Sequence, residues 1–213
     1  NALATLHGYA QLLQNPALKD EARAESANAL LQEVRGLSEM VTSFLNFARP
    51  KPPDFSDVRL EPLLGHCAED LRTLFDERGV ELSIAGEFPE VRADERMLRQ
   101  TLLNLLRNAA EAIHEDAPAR RVAVVCSRER DERGRAWARV EVSDTGTGLA
   151  PEDLQRVFIP FFTTKSKGHG VGLALAHRVA TDHGGTLSAS NSPTGGAVFT
   201  LRLPAETNAQ GST

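Results

Sequence analysis

Apolar residues recur every three or four positions from Asn1 to Phe47, which is the spacing of an amphipathic helix. Pro16 interrupts this pattern, because a proline disfavours helical geometry in the residue before it and can open the next helix. The pattern therefore predicts two helices that fold back on each other as a hairpin. A lone hairpin exposes a long apolar stripe, and pairing with a second copy would bury it. We expect a homodimer held by a four-helix bundle.

Three prolines between residues 50 and 53 end the helical pattern and favour an extended link. We expect a hairpin domain over 1–48, a linker over 49–57, a second domain over 58–204 and a disordered tail over 205–213. Helices are predicted over 60–75, 94–113 and 171–183, the last ended by Gly184-Gly185 directly after His183. Alternating apolar residues predict strands over 80–84, 121–126, 138–142, 186–189 and 197–203. This order predicts an α+β sandwich, in which one mixed sheet carries helices on a single face.

Composition narrows the class of protein. The 213 residues carry 24 basic and 29 acidic side chains, and a net charge of −5 gives no electrostatic attraction to nucleic acid or to an anionic membrane. Cys67 and Cys126 lie far apart without metal-ligand spacing, which favours a reducing compartment. No run of about 18 apolar residues and no signal-peptide pattern occurs. We expect a cytoplasmic chain without a nucleic-acid partner or membrane contact, whether or not a longer parent protein is membrane-anchored.

Two asparagines in the helix predicted over 94–113 stand four residues apart, so Asn104 and Asn108 share one helix face. An asparagine oxygen is a hard, uncharged ligand that a nucleotide-bound magnesium ion accepts beside phosphate oxygens and water. The alternative is a polar helix surface that binds no ligand.

Asp144 follows the strand predicted over 138–142 and begins the segment Asp-Thr-Gly-Thr-Gly. A carboxylate accepts a hydrogen bond from the exocyclic amine of adenine, whereas guanine presents an oxygen there and is repelled. Gly146 and Gly148 would let the backbone pass close to a base. The alternative is a plain turn after a strand.

A second glycine-rich segment runs into the helix predicted over 171–183. Its glycines and the residue that follows them are Gly168, Gly170, Gly172 and Leu173. Backbone amides at a helix N-terminus are suited to binding phosphate. Lys165 and Lys167 would neutralise a triphosphate, so we interpret the stretch as a lid over it. The alternative is a flexible surface loop.

The last candidate lies in the strand predicted over 197–203. Phe199 is expected to face the core, so that Thr200 faces the other way, towards the base.

Taken together and in this order, the segments that contain Asn104, Asp144, Phe158, Gly168 and Gly195 resemble the asparagine, first-glycine, phenylalanine, second-glycine and third-glycine boxes of sensor histidine kinases. The segment before the linker resembles the dimerisation and phosphoacceptor hairpin of that family, close to nitrogen-regulation-type kinases. The resemblance covers nearly the whole chain. It implies the ATP-binding fold shared with DNA gyrase and heat-shock chaperone ATPases, so the fold alone does not decide the function.

The resemblance implies a role for each matched residue. Asn108 would coordinate Mg²⁺, Asn104 would lie beside the phosphates at the catalytic centre, and Asp144 would bind the adenine of ATP. The γ-phosphoryl group would pass to a histidine and then to an aspartate in the receiver domain of a response regulator. Glu111 departs from the pattern, because many members carry a lysine there. Lys165 and Lys167 would then take over the phosphate contact that this lysine makes in other members.

The start of the chain departs further from the family. The phosphoacceptor histidine belongs to a His-acid-x-x-Asn-Pro pattern, in which Asn1 matches the asparagine and Ala2 replaces the proline. The histidine would then precede Asn1, and we expect a fragment that binds nucleotide but does not autophosphorylate. In relatives the residue matching Asn1 orients the water that dephosphorylates the regulator, which implies a phosphatase role in the intact parent.

Two features separate a histidine kinase from the alternative, an ATPase or ATP-driven switch of the wider superfamily. ATPases of the gyrase kind carry a catalytic glutamate at the position of Asn104, and asparagine cannot act as the base that activates water. Those ATPases also lack the helical hairpin before the linker. The sequence therefore favours the kinase.

Overall fold

The computed structural model describes residues 2–16, 18–48, 52–165 and 170–205. The chain divides into two compact units, Asn1–Lys51 and Pro52–Thr213. In the first unit, helix α1 (Ala2–Leu13) contacts helix α2 (Asp20–Ala48). The chain leaves α1 in a turn whose Asn15 amide donates to the carbonyl of Leu12 at 3.1 Å. Two helices broken near Pro16 agree with the sequence pattern.

The second unit is built on a five-stranded mixed sheet. Its strands are β2 (Glu81–Gly86), β4 (Arg121–Arg130), β5 (Ala136–Asp144), β6 (Thr186–Asn191) and β7 (Ala197–Pro204). Their order across the sheet is β2-β4-β5-β7-β6. Only the β2–β4 pair is parallel, and the other three pairs are antiparallel. Short 3₁₀ turns at Pro151–Asp153 and Arg156–Phe158 follow β5.

Three helices accompany this sheet, namely α3 (Leu60–Arg78), α4 (Glu95–Ala112) and α5 (Gly172–Asp182). Burial alternates along β5, where Val140 and Val142 are buried while Arg139 and Glu141 on the opposite face are half-buried. All three helices contact strands of the sheet, and their leucines join the valines in one apolar core. A sheet that is covered by helices on a single side has one buried face and one face more exposed to solvent. The predicted α+β architecture of this unit is confirmed.

Asp94 begins α4 as its N-terminal cap. Its side chain accepts a hydrogen bond from the amide of Met97 at 2.9 Å, which satisfies one of the backbone donors that a helix start leaves free. The helix then buries Leu98, Leu102 and Leu105 against the sheet and turns its asparagines away from the core. The cap and the apolar stripe together fix the rotation of α4, and therefore the direction of its polar face.

The boundaries predicted at the two ends of the second domain are corrected by the structure. Strand β1 (Ser56–Arg59) begins inside the linker predicted over 49–57, and pairs with β3 (Glu90–Ala93), which the sequence analysis missed. The segment is held because the Asp54 amide donates to the Asp94 carboxylate at 3.0 Å. Ala205, placed in the predicted tail, bridges to Val91, while residues 206–213 lie outside the described part of the chain.

Candidate functional site

The polar face of α4 carries both asparagines singled out by the sequence. Asn104 donates from Nδ2 to the carbonyl of Gly172 at 3.3 Å, and so ties α4 to the first turn of α5. Gln100 donates to Asn104 Oδ1 at 3.5 Å. A side chain at position 172 would not prevent this contact, since a Cβ added to Gly172 would lie 3.5 Å from the Asn104 side chain, an ordinary van der Waals distance. Its glycine identity is therefore not imposed by Asn104.

Lys165 reaches α4 from the loop that follows the second 3₁₀ turn. Its ammonium donates to Asn108 Oδ1 at 3.1 Å and to Glu111 Oε2 at 2.7 Å. The Lys165 and Glu111 side chains are 36% and 32% exposed, so solvent screens the ion pair only in part. An amide oxygen that accepts a bond from an ammonium group is also suited to a metal cation, and Asn108 therefore fits the role of a Mg²⁺ ligand.

Asp144 ends β5 and is buried, with 4% of its surface exposed. Two backbone amides donate to its Oδ1, that of Gly146 at 2.8 Å and that of Ala197 at 3.2 Å. Burial raises the pKa of this carboxyl above its usual value, and the two amide donors and the Lys165 charge oppose that rise. One oxygen is thus fixed by the backbone, and the arrangement suits a polar ligand group at the other.

Glycines let the backbone close tightly around Asp144. A Cβ on Gly196, which has φ +83°, would lie 1.9 Å from the Asp144 carbonyl oxygen, and a Cβ on Gly146 would lie 2.3 Å from the Ala112 carbonyl oxygen. Gly148, at φ +71°, faces Asn191, whose side chain bonds the amide and carbonyl of Leu149 at 2.8 and 2.7 Å. These glycines are required by contacts within the protein itself. For Gly146 and Gly148 these contacts give a reason other than the approach of a base that the sequence suggests.

The two ends of the predicted lid meet at Gly170. This glycine has φ +66°, and a Cβ on it would lie 2.5 Å from the carbonyl carbon of Phe161. The Phe161 amide donates to the Gly170 carbonyl at 2.8 Å, and Phe161 itself has φ 68°. Leu173, three residues after Gly170, packs against the core. The remaining candidates Asn1, Lys167 and Gly168 lie outside the described residues.

The structure brings most, but not all, of the described candidates together. One hydrogen bond joins Asn104 to Gly172, and another joins Asn108 to Lys165. The charge of Lys165 lowers the pKa of Asp144 against the effect of burial. Thr200 is not part of this group. It lies opposite Glu141 in the β5–β7 ladder, and its hydroxyl is 3.5 Å from a Glu141 carboxylate oxygen, on the face of the sheet opposite to Asp144. The alternation that points Phe199 into the core carries Thr200 away from the Asp144 side.

Two contacts within this site were not predicted from the sequence. Asn191 braces the loop after Asp144, and the only local signal is an asparagine at a strand end. Glu111 had been noted as a departure from a pattern, but its pairing with Lys165 joins residues 54 positions apart. Contacts between such distant segments carry no local sequence signature.

Comparisons with known proteins identify relatives of this chain. The profile of the family described as histidine kinase-, DNA gyrase B- and HSP90-like ATPase matches residues 93–207. The chain is 31% identical over 206 residues to the sensor histidine kinase ZraS of Escherichia coli (strain K12), covering 96% of this chain and 43% of ZraS. It is 29% identical over 194 residues to the nitrogen regulation protein NtrY of Azorhizobium caulinodans, covering 85% of this chain and 24% of NtrY. The chain thus spans less than half the length of these curated relatives.

Solved structures show the same relationship. Full-length ShkA in complex with AMPPNP is 30% identical, with a TM-score of 0.72 over 97% of this chain and 44% of ShkA. The catalytic domain of the histidine kinase ThkA is 26% identical, with a TM-score of 0.62 over 71% of this chain and 96% of that domain.

The chain belongs to the histidine kinase-, DNA gyrase B- and HSP90-like ATPase family. The curated relatives that it matches are sensor histidine kinases and include a nitrogen regulation protein, which agrees with the resemblance identified from the sequence. None of the helices in the described ranges is both long and apolar enough to cross a membrane.

Proposed function

We propose that the second unit binds Mg-ATP between α4, the loop after β5 and the start of α5. The observation that carries this proposal is the buried Asp144, whose Oδ1 is fixed by two backbone amides. Its Oδ2 accepts the exocyclic amine of adenine, so that ATP is preferred over GTP. The start of α5, with Gly172 and Leu173, receives the phosphates.

The proposed mechanism depends on positioning and charge neutralisation. Asn108 would hold Mg²⁺, and Asn104 would lie beside the phosphates, where its contact with Gly172 keeps the start of α5 close to α4. The bound ion would supply charge neutralisation to the transferring phosphoryl group. Lys165 lies beside Asn108 at the same place, where it is paired with Glu111. The acceptor is a histidine imidazole, and the phosphoryl group then passes to an aspartate of a response-regulator receiver domain.

This site is tested by calorimetric titration of the chain with AMPPNP and Mg²⁺, beside Asp144→Ala and with GTP as a second ligand. Binding of AMPPNP that is lost in Asp144→Ala and absent for GTP supports the site. A matched control is Asp116→Ala, which removes an exposed carboxylate near the end of α4 and should bind normally. Equal binding by Asp144→Ala and the parent chain would contradict the adenine role.

The phosphotransfer step is tested with radiolabelled ATP. In a longer protein that carries the acceptor histidine, the expected product is an acid-labile, base-stable phosphoryl group that moves to a receiver domain. The alternative activity, an ATPase or ATP-driven switch, would release phosphate steadily without a phosphoprotein. Asn104 favours the kinase, because its amide cannot activate water as a carboxylate would.

We also propose that the first unit forms a homodimer through α1 and α2. Leu12, Leu31 and Val34 are 47%, 52% and 42% exposed in the single chain, and a four-helix bundle with a second copy would bury such a stripe. Light scattering of the chain and of a Leu31→Glu, Val34→Glu double variant tests this. A dimer that the double variant converts to monomer is expected, and an unchanged dimer would exclude this face.

A phosphatase role for Asn1 completes the proposal. Asn1→Ala in the parent protein is expected to slow dephosphorylation of the phosphorylated receiver domain while nucleotide binding is unchanged. Unaltered dephosphorylation would remove the role.

A further inference from the structure

The ammonium group of Lys165 is shared between two acceptors on α4. It donates to Glu111 at 2.7 Å and to Asn108 at 3.1 Å. Glu111 lies three residues after Asn108, so both acceptors lie on the same side of the helix. The positive charge of this lysine is therefore balanced by a carboxylate at the place where the triphosphate is proposed to bind.

Three charged groups neighbour one another here. Glu111 contacts Lys165 directly, and Asp144 is close enough that the Lys165 charge lowers the pKa of its carboxyl against the effect of burial. When all three are ionised they sum to one negative charge. A triphosphate carries several negative charges, so these three groups together repel it more than they attract it. A further cation such as Mg²⁺ would offset this repulsion.

We propose that Glu111 is a specificity-determining residue of the nucleotide site: by pairing with Lys165 it cancels the charge of that lysine and makes Mg²⁺ the counter-ion that the triphosphate requires. The inference rests on the proposed nucleotide site. Asn108 contributes the metal ligand without adding charge. A Mg²⁺ ion on its Oδ1 would repel the ammonium of Lys165, so metal binding would weaken the contact of Lys165 with Asn108 but not its ion pair with Glu111.

The test compares the parent chain with Glu111→Gln, Lys165→Met and the double variant. Calorimetry gives the dissociation constant of ATP with excess Mg²⁺ and with EDTA. The constant with EDTA divided by the constant with Mg²⁺ measures the Mg²⁺ requirement. Together with Asp144, the charges sum to zero in Glu111→Gln, to two negative charges in Lys165→Met, and to one negative charge in the double variant and the parent. The ratio should therefore fall about three- to tenfold in Glu111→Gln and rise by a similar factor in Lys165→Met. The double variant should return to within about twofold of the parent.

Glu115→Gln is the matched control. It removes the same charge from an exposed glutamate just beyond the end of α4, and should leave the ratio unchanged. Thermal unfolding of each variant establishes that it is folded.

Two results would overturn the inference while leaving the nucleotide site standing. One is an unchanged ratio in Glu111→Gln when both proteins bind Mg-ATP. The other is a parallel loss of affinity with Mg²⁺ and with EDTA in both single variants and no recovery in the double variant, which would show that the pair only holds the loop in place. Failure of the parent chain to bind Mg-ATP at all would instead overturn the proposed function, and this inference with it.

Discussion

The backbone amide of Asp94 donates to Nε2 of His183 at 2.9 Å, and thereby joins the start of α4 to the end of α5. The other ring nitrogen, Nδ1, lies 2.8 Å from the carbonyl oxygen of Val179. A carbonyl can only accept, so Nδ1 carries the proton and Nε2 is the acceptor, which is the neutral form of the ring. The ring is buried and meets Phe55 edge-on, with ring centroids 5.1 Å apart. One histidine therefore holds two helices and the segment that enters the second unit.

The first prediction concerns this histidine. His183→Phe keeps a ring against Phe55 but leaves the buried Asp94 amide without its acceptor. We expect the free energy of unfolding to fall by about 1–3 kcal/mol, the usual cost of an unsatisfied buried donor. Urea denaturation measures it, with the exposed His66→Phe as the control, which should change stability by less than about 0.5 kcal/mol. Equal effects of the two substitutions would show that the hydrogen bond contributes nothing.

The second prediction separates close packing from backbone conformation in the turn before β7. Gly195 and Gly196 both have positive φ, at 101° and 83°. A Cβ added to Gly195 would meet no atom, whereas a Cβ added to Gly196 would collide with the Asp144 carbonyl oxygen. Gly195→Ala should cost about 1 kcal/mol, since alanine disfavours this conformation. Gly196→Ala should cost about 2–4 kcal/mol, because the contact at 1.9 Å forces the backbone to move. Similar losses in urea denaturation would mean that the turn relaxes freely.

Much of the second unit follows from patterns within single segments. The helices predicted over 60–75, 94–113 and 171–183 are observed as Leu60–Arg78, Glu95–Ala112 and Gly172–Asp182. All five predicted strands are present, each one to four residues longer at one or both ends, except that β2 begins one residue later. Apolar periodicity finds such elements because each buries one face.

The rest depends on contacts between distant segments. Strands β1 and β3 have four residues each, and their short ladder leaves no alternation long enough to detect. His183 was correctly placed at a helix end, but its bond to Asp94 spans 89 positions. The pairing of Lys165 with Glu111 is of the same kind. Residue types and their order therefore indicate the candidate site, whereas the partners within it become visible only in three dimensions.

The third prediction is that the buried carboxylate of Asp144 lowers the free energy of unfolding at neutral pH. Burial raises the folded-state pKa of this carboxyl above the unfolded value of 3.8, so the folded state holds the proton more tightly. The resulting stabilisation is present below the unfolded pKa and is lost as the pH rises through the folded pKa. Asp144→Asn, whose amide oxygen can still accept from Gly146 and Ala197, should therefore be more stable than the parent at pH of about 7.

The advantage of Asp144→Asn over the parent should shrink as the pH is lowered through the raised pKa, and urea denaturation at several pH values measures it. Asp116→Asn, an exposed carboxylate, is the control and should show no such dependence. A variant less stable than the parent at neutral pH would show that the buried charge is well compensated by its two amide donors.

A fourth prediction places the same carboxyl in ligand binding, and rests on the proposed adenine contact. The amine of adenine donates to the ionised form, so affinity should fall as the pH is lowered through the raised pKa of Asp144, at a higher pH than an ordinary aspartate would give. The phosphates of a nucleotide titrate as well, and a ratio removes their effect. ATP and inosine triphosphate share the same phosphates, but only ATP has the exocyclic amine. The ratio of their affinities should therefore decrease on acidification, while circular dichroism shows that the chain stays folded. A ratio independent of pH would mean that Asp144 does not bind the amine as a carboxylate, and that adenine is recognised by other groups.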